Sequence, residues 1–386
     1  MAVKSLNLLC FHVFFRRLLR GGKKSWYDDL REKGGTAVDE TREFLLAQCA
    51  RYPALRPEDL LKALHQSVFG CGHFVTDEGA GLALLRAEAP SRGGVEALDG
   101  AFCRVHLGVL RETGLAARTL WKLFALSART PCGTVEALEE KLTALLALAS
   151  EGRLPFSYEE TFAAVERWRG EGYPACHHSP AFRDAYAPAY RVVRREYAWA
   201  IPLLAAMDRR LAESPHLLVA IEGGSASGKT TLASLLADIY DCNVFHMDDF
   251  FLRPEQRTQA RLAEPGGNVD RERFYEEVLR PVKAGQASAF RRYDCHTQTL
   301  QAPTVTPPKA LNIVEGAYSL HPLLAGSYDL SVFLRIDPTL QRRRILRRNG
   351  AEVAQRFFDC WIPLEQRYFD ALDPAGRCDL VMEVEA

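Results

Sequence analysis

The chain of 386 residues carries no net charge: 49 lysines and arginines balance 49 aspartates and glutamates. It lacks the basic excess that draws a protein to nucleic acid or to an anionic membrane surface. None of its ten cysteines stands in a CxxC pair; they are scattered at positions 10, 49, 71, 103, 132, 176, 242, 295, 360 and 378. That dispersal speaks against a disulfide framework and fits small hydrophobes in a reducing compartment. No stretch is long and apolar enough to cross a bilayer, and no repeat recurs at a fixed period. The apolar run in MAVKSLNLLCFHVFFRRLLRGGKK is short, its Arg16, Arg17 and Arg20 follow rather than precede it, and no small-residue cleavage site comes after. That order is wrong for a signal peptide. Residues 1–35 are read as an amphipathic or disordered leader, and the protein as cytoplasmic with neither a membrane nor a nucleic-acid partner.

What is present suits two domains, since one core seldom extends over so many residues. Apolar residues make up 47% and charged residues 25%, a globular balance. Residues 36–212 read as mostly helical. TAVDETREFLLAQCARY has apolar residues three and four apart, Pro57 opens EDLLKALHQSVF, Thr134 caps VEALEEKLTALLALA, and Ser157 with Glu160 forms a capping-box pattern. A last helix is expected from about Ala189 to Leu211, kinked or split at Pro202.

The pattern changes at Pro215. HLLVAIEGG, CNVFHMDDF, ALNIVEGAY and LSVFLRI are short, nearly continuous apolar runs, each separated by enough chain for a crossover. Residues 213–386 are therefore expected to form an α/β domain with a mainly parallel sheet.

The first of those strands runs into Gly223-Gly224-Ser225-Ala226-Ser227-Gly228-Lys229-Thr230, which fits G-x-x-x-x-G-K-[ST] in full. Small residues between a strand and a helix N-terminus turn several backbone N–H groups toward one point and form a nest for an anion. Lys229 adds a positive charge for the β and γ phosphates, and Thr230 a hydroxyl for Mg²⁺. The loop and the first helical residues through Thr231 are expected to hold ATP. The second strand ends in Asp248-Asp249, the third in Glu315-Gly316. Ligands of open α/β sheets bind at such carboxyl ends. Asp248 is expected to orient or deprotonate an attacking hydroxyl and to face the metal. Glu315 is expected to hold Mg²⁺ from the side opposite Thr230. The run Arg342-Arg343-Arg344 with Arg347 and Arg348 covers more than one side of a helix, and arginines there can clamp a phosphoryl group in transit. Glu365 and Arg367, in FFDCWIPLEQRYFD, are candidates for a supporting role only.

In this order, GGSASGKTT, HMDDFF, NVDRERF, RRYD, IVEGAYSL and RRRILRR resemble the uridine kinase and phosphoribulokinase group of P-loop kinases, over about residues 216–383. The resemblance implies Asp248 as catalytic aspartate and Glu315 as magnesium ligand. It places Phe251, Asp270 and Tyr293 against the acceptor, and Arg344 and Arg347 as the lid arginines, with Arg356 a weaker counterpart. Three positions depart from the family: Gln298 stands where members that take uridine or cytidine usually carry histidine, Phe251 differs by a tyrosine-for-phenylalanine change, and Val269 replaces an aromatic. The nearest histidine, His296, is taken as a substrate residue instead. The implied activity is ATP- and Mg²⁺-dependent phosphorylation of a nucleoside, uridine foremost. Another small hydroxylated metabolite, such as an anionic one met by Arg291 and Arg292, is the alternative, as is an ATP-gated switch acting through the first domain.

The first domain offers polar clusters without a motif. His65 with Cys71 and His73 matches no common zinc spacing. His177, His178, Arg183, Tyr186, Tyr190 and Arg191 mix basic and hydrogen-bonding groups suited to an anion, an effector or a second substrate. Such a fused domain is also compatible with a homo-oligomer.

Overall fold

The computed structural model describes residues 37–70, 77–88, 92–129 and 133–385. The leader assigned to residues 1–35, and Cys71 and His73 of the histidine–cysteine cluster, lie outside the described residues. No described helix is long and apolar enough to cross a membrane. The chain divides into two compact units that meet in sequence at Asp208 and Arg209, compared with the boundary of 212 and 213 read from the sequence.

In the first unit the helices Ala37–Arg51, Pro57–Phe69, Ala117–Arg129, Val135–Ser150 and Tyr158–Gly170 bury Leu45, Leu64, Leu120, Leu142 and Val165 completely. Thr134 accepts a hydrogen bond from Ala137 N and Ser157 one from Glu160 N. Each cap satisfies one of the amides a helix start leaves without a partner. The unit is not helical throughout. Strands β1 (Val95–Ala97), β2 (Phe102–His106) and β3 (Tyr190–Arg194) form an antiparallel sheet in that order. The helix expected over 189–211 is thus a correction. β3 comes first, then one helical turn at Arg195–Ala198, then the helix Ile201–Glu213. Tyr-Arg-Val-Val has the β-branched and aromatic content of a strand, but its partner β2 lies some ninety residues earlier, beyond any local window. Pro202 sits in the first turn of its helix, where its missing N–H costs nothing.

The second unit is α/β. Strands β4 (Leu217–Gly223) and β5 (Cys242–His246) are followed by a hairpin, β6 (Ser288–Asp294) and β7 (Thr299–Thr306), and then by β8 (Leu311–Glu315), β9 (Leu330–Ile336) and β10 (Leu380–Val384). The hairpin stands apart from a five-stranded, all-parallel sheet of order β10-β9-β4-β8-β5. β4 and β8 are buried along their whole length, as inner parallel strands covered on both faces must be. The chain moves from β4 to one side for β5 and β8 and to the other for β9 and β10. A crevice therefore opens at the carboxyl ends beside β4. The core next to it is aromatic: Phe250 packs edge-on to Phe274 at 4.9 Å and lies 5.5 Å from Phe290 of the hairpin.

Gly316 closes β8 with φ 144°, and a Cβ there would stand 2.5 Å from the Cβ of Met247. Neither atom is the far end of a flexible side chain, so the backbone would have to move. Gly316→Ala should destabilise the protein by about 2 kcal/mol or more, read from the urea midpoint; an unchanged midpoint would show that the turn has slack.

Candidate phosphate and acceptor site

Parallel pairing sets Ile221, Glu315 and His246 level across β4, β8 and β5. Everything at the site is placed relative to that row. β4 continues to Gly223, the loop turns, and the helix Lys229–Ile239 begins. The loop needs its glycines at two points: Gly223 has φ 150°, where a Cβ would meet Leu334 O at 2.6 Å, and Gly228 has φ 97°. Lys229 Nζ donates to the carbonyls of Gly223 and Gly224, both at 2.9 Å. Its charge is thereby held at the loop's mouth.

Two carboxylates that motif reading did not assign frame this loop. Glu222 is fully buried and accepts from the amides of Gly223 (2.9 Å), Tyr318 (3.1 Å) and Leu320 (3.0 Å) and from the Tyr368 hydroxyl (3.1 Å). It ties the end of β4 to the turn after β8 and to the helix Ile362–Leu372. Burial pushes its carboxyl up to about 7, against the pull of those donors and of Lys229. Glu365 lies on the loop itself. Its oxygens accept from Ser225 N at 2.9 and 3.1 Å and from Ser225 Oγ at 2.6 Å. Gln341 donates to Ser225 O at 2.9 Å. Burial raises the Glu365 carboxyl while Lys229 opposes the shift. The sequence placed Glu365 as no more than a support; only its contact with Ser225 shows that a carboxylate engages an amide of the phosphate loop.

Thr230 Oγ1 donates to Glu315 Oε1 at 3.0 Å, and His246 Nδ1 lies 2.6 Å from the same oxygen. The Glu315 bond raises the His246 imidazole above its ordinary value. A hydroxyl and a carboxylate side by side are hard oxygen donors of the kind Mg²⁺ takes. No group of three or more His, Cys, Asp or Glu among the described residues could hold a metal by itself. Thr230 and Glu315 would fit a magnesium ion whose other ligands are phosphate oxygens. Asp248 follows β5 in a 3₁₀ turn, Met247–Phe250. Its tip is open to solvent, it makes no hydrogen bond to a described residue, and the protein around it raises its carboxyl, with Lys229 pulling the other way. Asp249 turns aside to Arg292, 3.3 Å away.

The acceptor residues read from the sequence fare unequally. Phe251 is half-buried, bridges Val269 across a short antiparallel contact, and lies 5.5 Å from the Trp361 ring. Asp270 is buried; it caps Arg273 N and accepts from Gln256 Nε2 at 2.7 Å. Tyr293 is buried with its hydroxyl accepting from Arg257 Nη2 at 2.9 Å. His296 is exposed in the β6–β7 turn, its amide donating to Asp294. Arg291 donates to the carbonyls of Leu300 and Gln301 across the hairpin. A group missed by the sequence reading is Asn268, whose buried amide, next to the Tyr318 hydroxyl, makes no hydrogen bond of ordinary geometry.

Of the arginines, Arg344 reaches the loop, 3.4 Å from Ala226 O, and donates to Glu385 O at 2.8 Å. Arg347 and Arg356 are exposed. Their helix, Pro338–Arg356, breaks at Gly350, which has φ 74° and ψ 167°. Arg342 stacks on Phe358 at 3.8 Å.

In the first unit the polar cluster assembles only in part: His178 Nε2 lies 2.8 Å from the Tyr190 hydroxyl. His177 and Arg183 are exposed, Arg191 pairs with Glu88 at 2.6 Å, and His65 packs between Phe69 and Trp168. His178 is buried against Asp59 at 2.8 Å.

The strand, the loop and the helix with its lysine form a candidate phosphate site at the carboxyl end of β4, the central strand of the parallel sheet. No family model matches the chain, and no curated protein sequence matches it. Among solved structures it is similar to a candidate uridine kinase from Bacillus stearothermophilus, at 24% identity over 43% of this chain and 88% of that one, with a TM-score of 0.35. It is similar also to a candidate fructose transport system kinase from Silicibacter sp. TM1040, at 21% identity over 43% and 89%, with a TM-score of 0.36. The site's own geometry carries the functional reading.

The fold favours the neutral form of Glu222, so its contribution to stability is complete below the ordinary carboxyl value of 4.5 and is lost as pH rises through about 7. Urea unfolding from pH 5 to 8 should show a falling component that Glu222→Gln removes; identical pH profiles for the two proteins would refute the shift. Glu365→Gln takes a negative charge off the loop and should tighten ATP binding several-fold in calorimetry; weaker binding would mean that Glu365 shapes the loop instead of competing for it.

Proposed function

We propose that the second unit transfers the terminal phosphoryl group of ATP to a hydroxyl of a small metabolite, a nucleoside such as uridine foremost. One observation carries this reading: Asp248 stands unengaged and open to solvent beside Lys229 and the Thr230–Glu315 pair. A pure nucleotide switch has no use for a free carboxylate at that point, whereas a kinase needs one to take up or orient a hydroxyl proton.

The amides of residues 224–230 and Lys229 hold the phosphates, with Lys229 leaving its two loop carbonyls to do so. Magnesium bound with the nucleotide would offset phosphate charge, with Thr230 and Glu315 as its protein ligands. Asp248 accepts the proton of the attacking hydroxyl. Phe251 and Trp361 offer aromatic faces to the acceptor, and Asn268 offers an amide for its hydroxyls. Asp270 and Tyr293 act one step back, holding Gln256 and Arg257. Arg344, already at the loop, neutralises charge on the moving group, and Arg347 joins it only if its helix turns about Gly350.

The test is a panel of acceptors at equal concentration, read by coupled ADP production. Uridine or another nucleoside should give the fastest turnover. ADP release that ignores every acceptor would favour the switch reading, and a preference for phosphorylated sugars would favour an anionic acceptor. Asp248→Asn should cut transfer at least about 100-fold while ATP still binds, and Lys229→Ala should weaken binding and transfer together. Near-normal turnover by Asp248→Asn would remove that residue from the chemistry.

A further inference from the structure

The sheet of the first unit has an unusual inner face. Alternate residues of a strand share a face, so Arg104 and His106 of β2 point the same way. Glu96 on β1 stands opposite Arg104, and Tyr190 on β3 opposite His106. A charged row therefore faces into the protein. Glu96 lies at its centre, with a side chain 1% exposed. It accepts from Tyr52 Oη (2.6 Å), Arg92 Nη2 (2.6 Å) and Gln48 Nε2 (3.1 Å), and lies 3.0 Å from His106 Nε2 and 3.4 Å from Arg104 Nη1. Burial works against its charge, but His106 and Arg104 hold its carboxyl well below the usual range.

One carboxylate thus faces two guanidinium groups. The other buried carboxylate nearby, Asp59, spends its oxygens on Ser179, Arg56 N and His178. Arg104 is buried to 2% exposure and lies 4.9 Å over the Tyr190 ring. Its Nε donates to Gln66 at 2.9 Å, yet its Nη2 has no hydrogen-bond partner. A buried guanidinium N–H without an acceptor is costly. Arg104 is also among the residues that line a cavity of about 70 Å³, with Tyr52, Arg92, His106, Tyr190, Phe182, Tyr186 and Pro188. That is space for one compact polar group, given that a water molecule takes about 30 Å³. Arg92, 37% exposed, connects it to solvent.

We propose that this cavity is a binding site for the oxyanion end of a small metabolite, a carboxylate or a phosphate, with the body of the ligand against Phe182, Tyr186 and Pro188. The oxyanion supplies the acceptor that Arg104 Nη2 lacks and balances the second guanidinium. Arg92 closes over it from the rim, as arginines do on planar or tetrahedral oxyanions. The site lies wholly within the first unit and does not depend on the kinase reading of the second.

The test uses the full chain and two probes, inorganic phosphate and benzoate, titrated calorimetrically at constant ionic strength with chloride as control. Binding of either probe that persists in Lys229→Ala supports the site, and which one binds tells a phosphate ligand from a carboxylate one. Arg92→Ala should weaken that binding tenfold or more, while Lys229→Ala, which disables the phosphate loop, leaves it unchanged. In parallel, the His106 imidazole signal, assigned through His106→Gln, should move in the NMR spectrum of the wild-type protein as the probe is added. This readout stands even if Arg92→Ala does not fold. Failure of both probes to bind below about 10 mM would overturn the proposal. Binding that survives Arg92→Ala but is lost in Lys229→Ala would do so too, with a still His106 signal.

Discussion

Level strand ends are the constraint on which the second unit depends. Because β4, β8 and β5 are parallel and in register, Ile221, Glu315 and His246 finish together. The chain then leaves each strand in a different way: a glycine-rich loop from β4, a glycine turn from β8, a 3₁₀ turn from β5. A shift of β8 by one residue against both β4 and β5 would turn Glu315 away from both Thr230 and His246, because neighbouring residues in a strand face opposite sides. The site is in that sense a property of the sheet's hydrogen bonding, and the side chains are passengers on it.

Charge around the loop is balanced by opposition. Lys229 sits among three carboxylates that their surroundings raise and that it pulls back down, namely Glu222 beneath the loop, Glu365 on it and Asp248 beside it. Each feels the same lysine, so movement of Lys229 onto a phosphate changes the surroundings of all three. Glu222 can bear this because four donors fix it in place. Among the described residues the Glu365 carboxylate bonds only to Ser225, which makes it the carboxylate most easily displaced by an incoming anion.

The first unit shows a related economy. A sheet face that would ordinarily be apolar carries a glutamate, two basic groups and a tyrosine, and most of their hydrogen bonds are met internally. Buried polar networks of this kind are stable only when every member is satisfied. The unpartnered Nη2 of Arg104 is therefore more informative than the many donors that are paired.

The strands of the parallel sheet, the phosphate loop and the acid after β5 were legible in the sequence because each is a local signal: a run of apolar residues, a glycine spacing, a carboxylate at a strand tip. Four strands of the five were read that way. The fifth, Leu380–Val384, lies at the sheet edge and is only partly buried, so its run is short of the pattern. β3 was mistaken for helix because a strand of that length is defined by its partner. Motif order by itself determined that a glycine-rich loop ending in Lys229 and Thr230 and an acid at the carboxyl end of a strand occur on one α/β unit, since backbone conformation over a few residues follows from glycine, proline and apolar spacing. Only the tertiary structure decided that Asp270 and Tyr293 are already engaged by Gln256 and Arg257, that Glu365 reaches across 140 positions to Ser225, and that Arg104 keeps an unmet donor beside a cavity. Side-chain hydrogen bonds between distant segments depend on where the whole chain packs, and no local spacing encodes them.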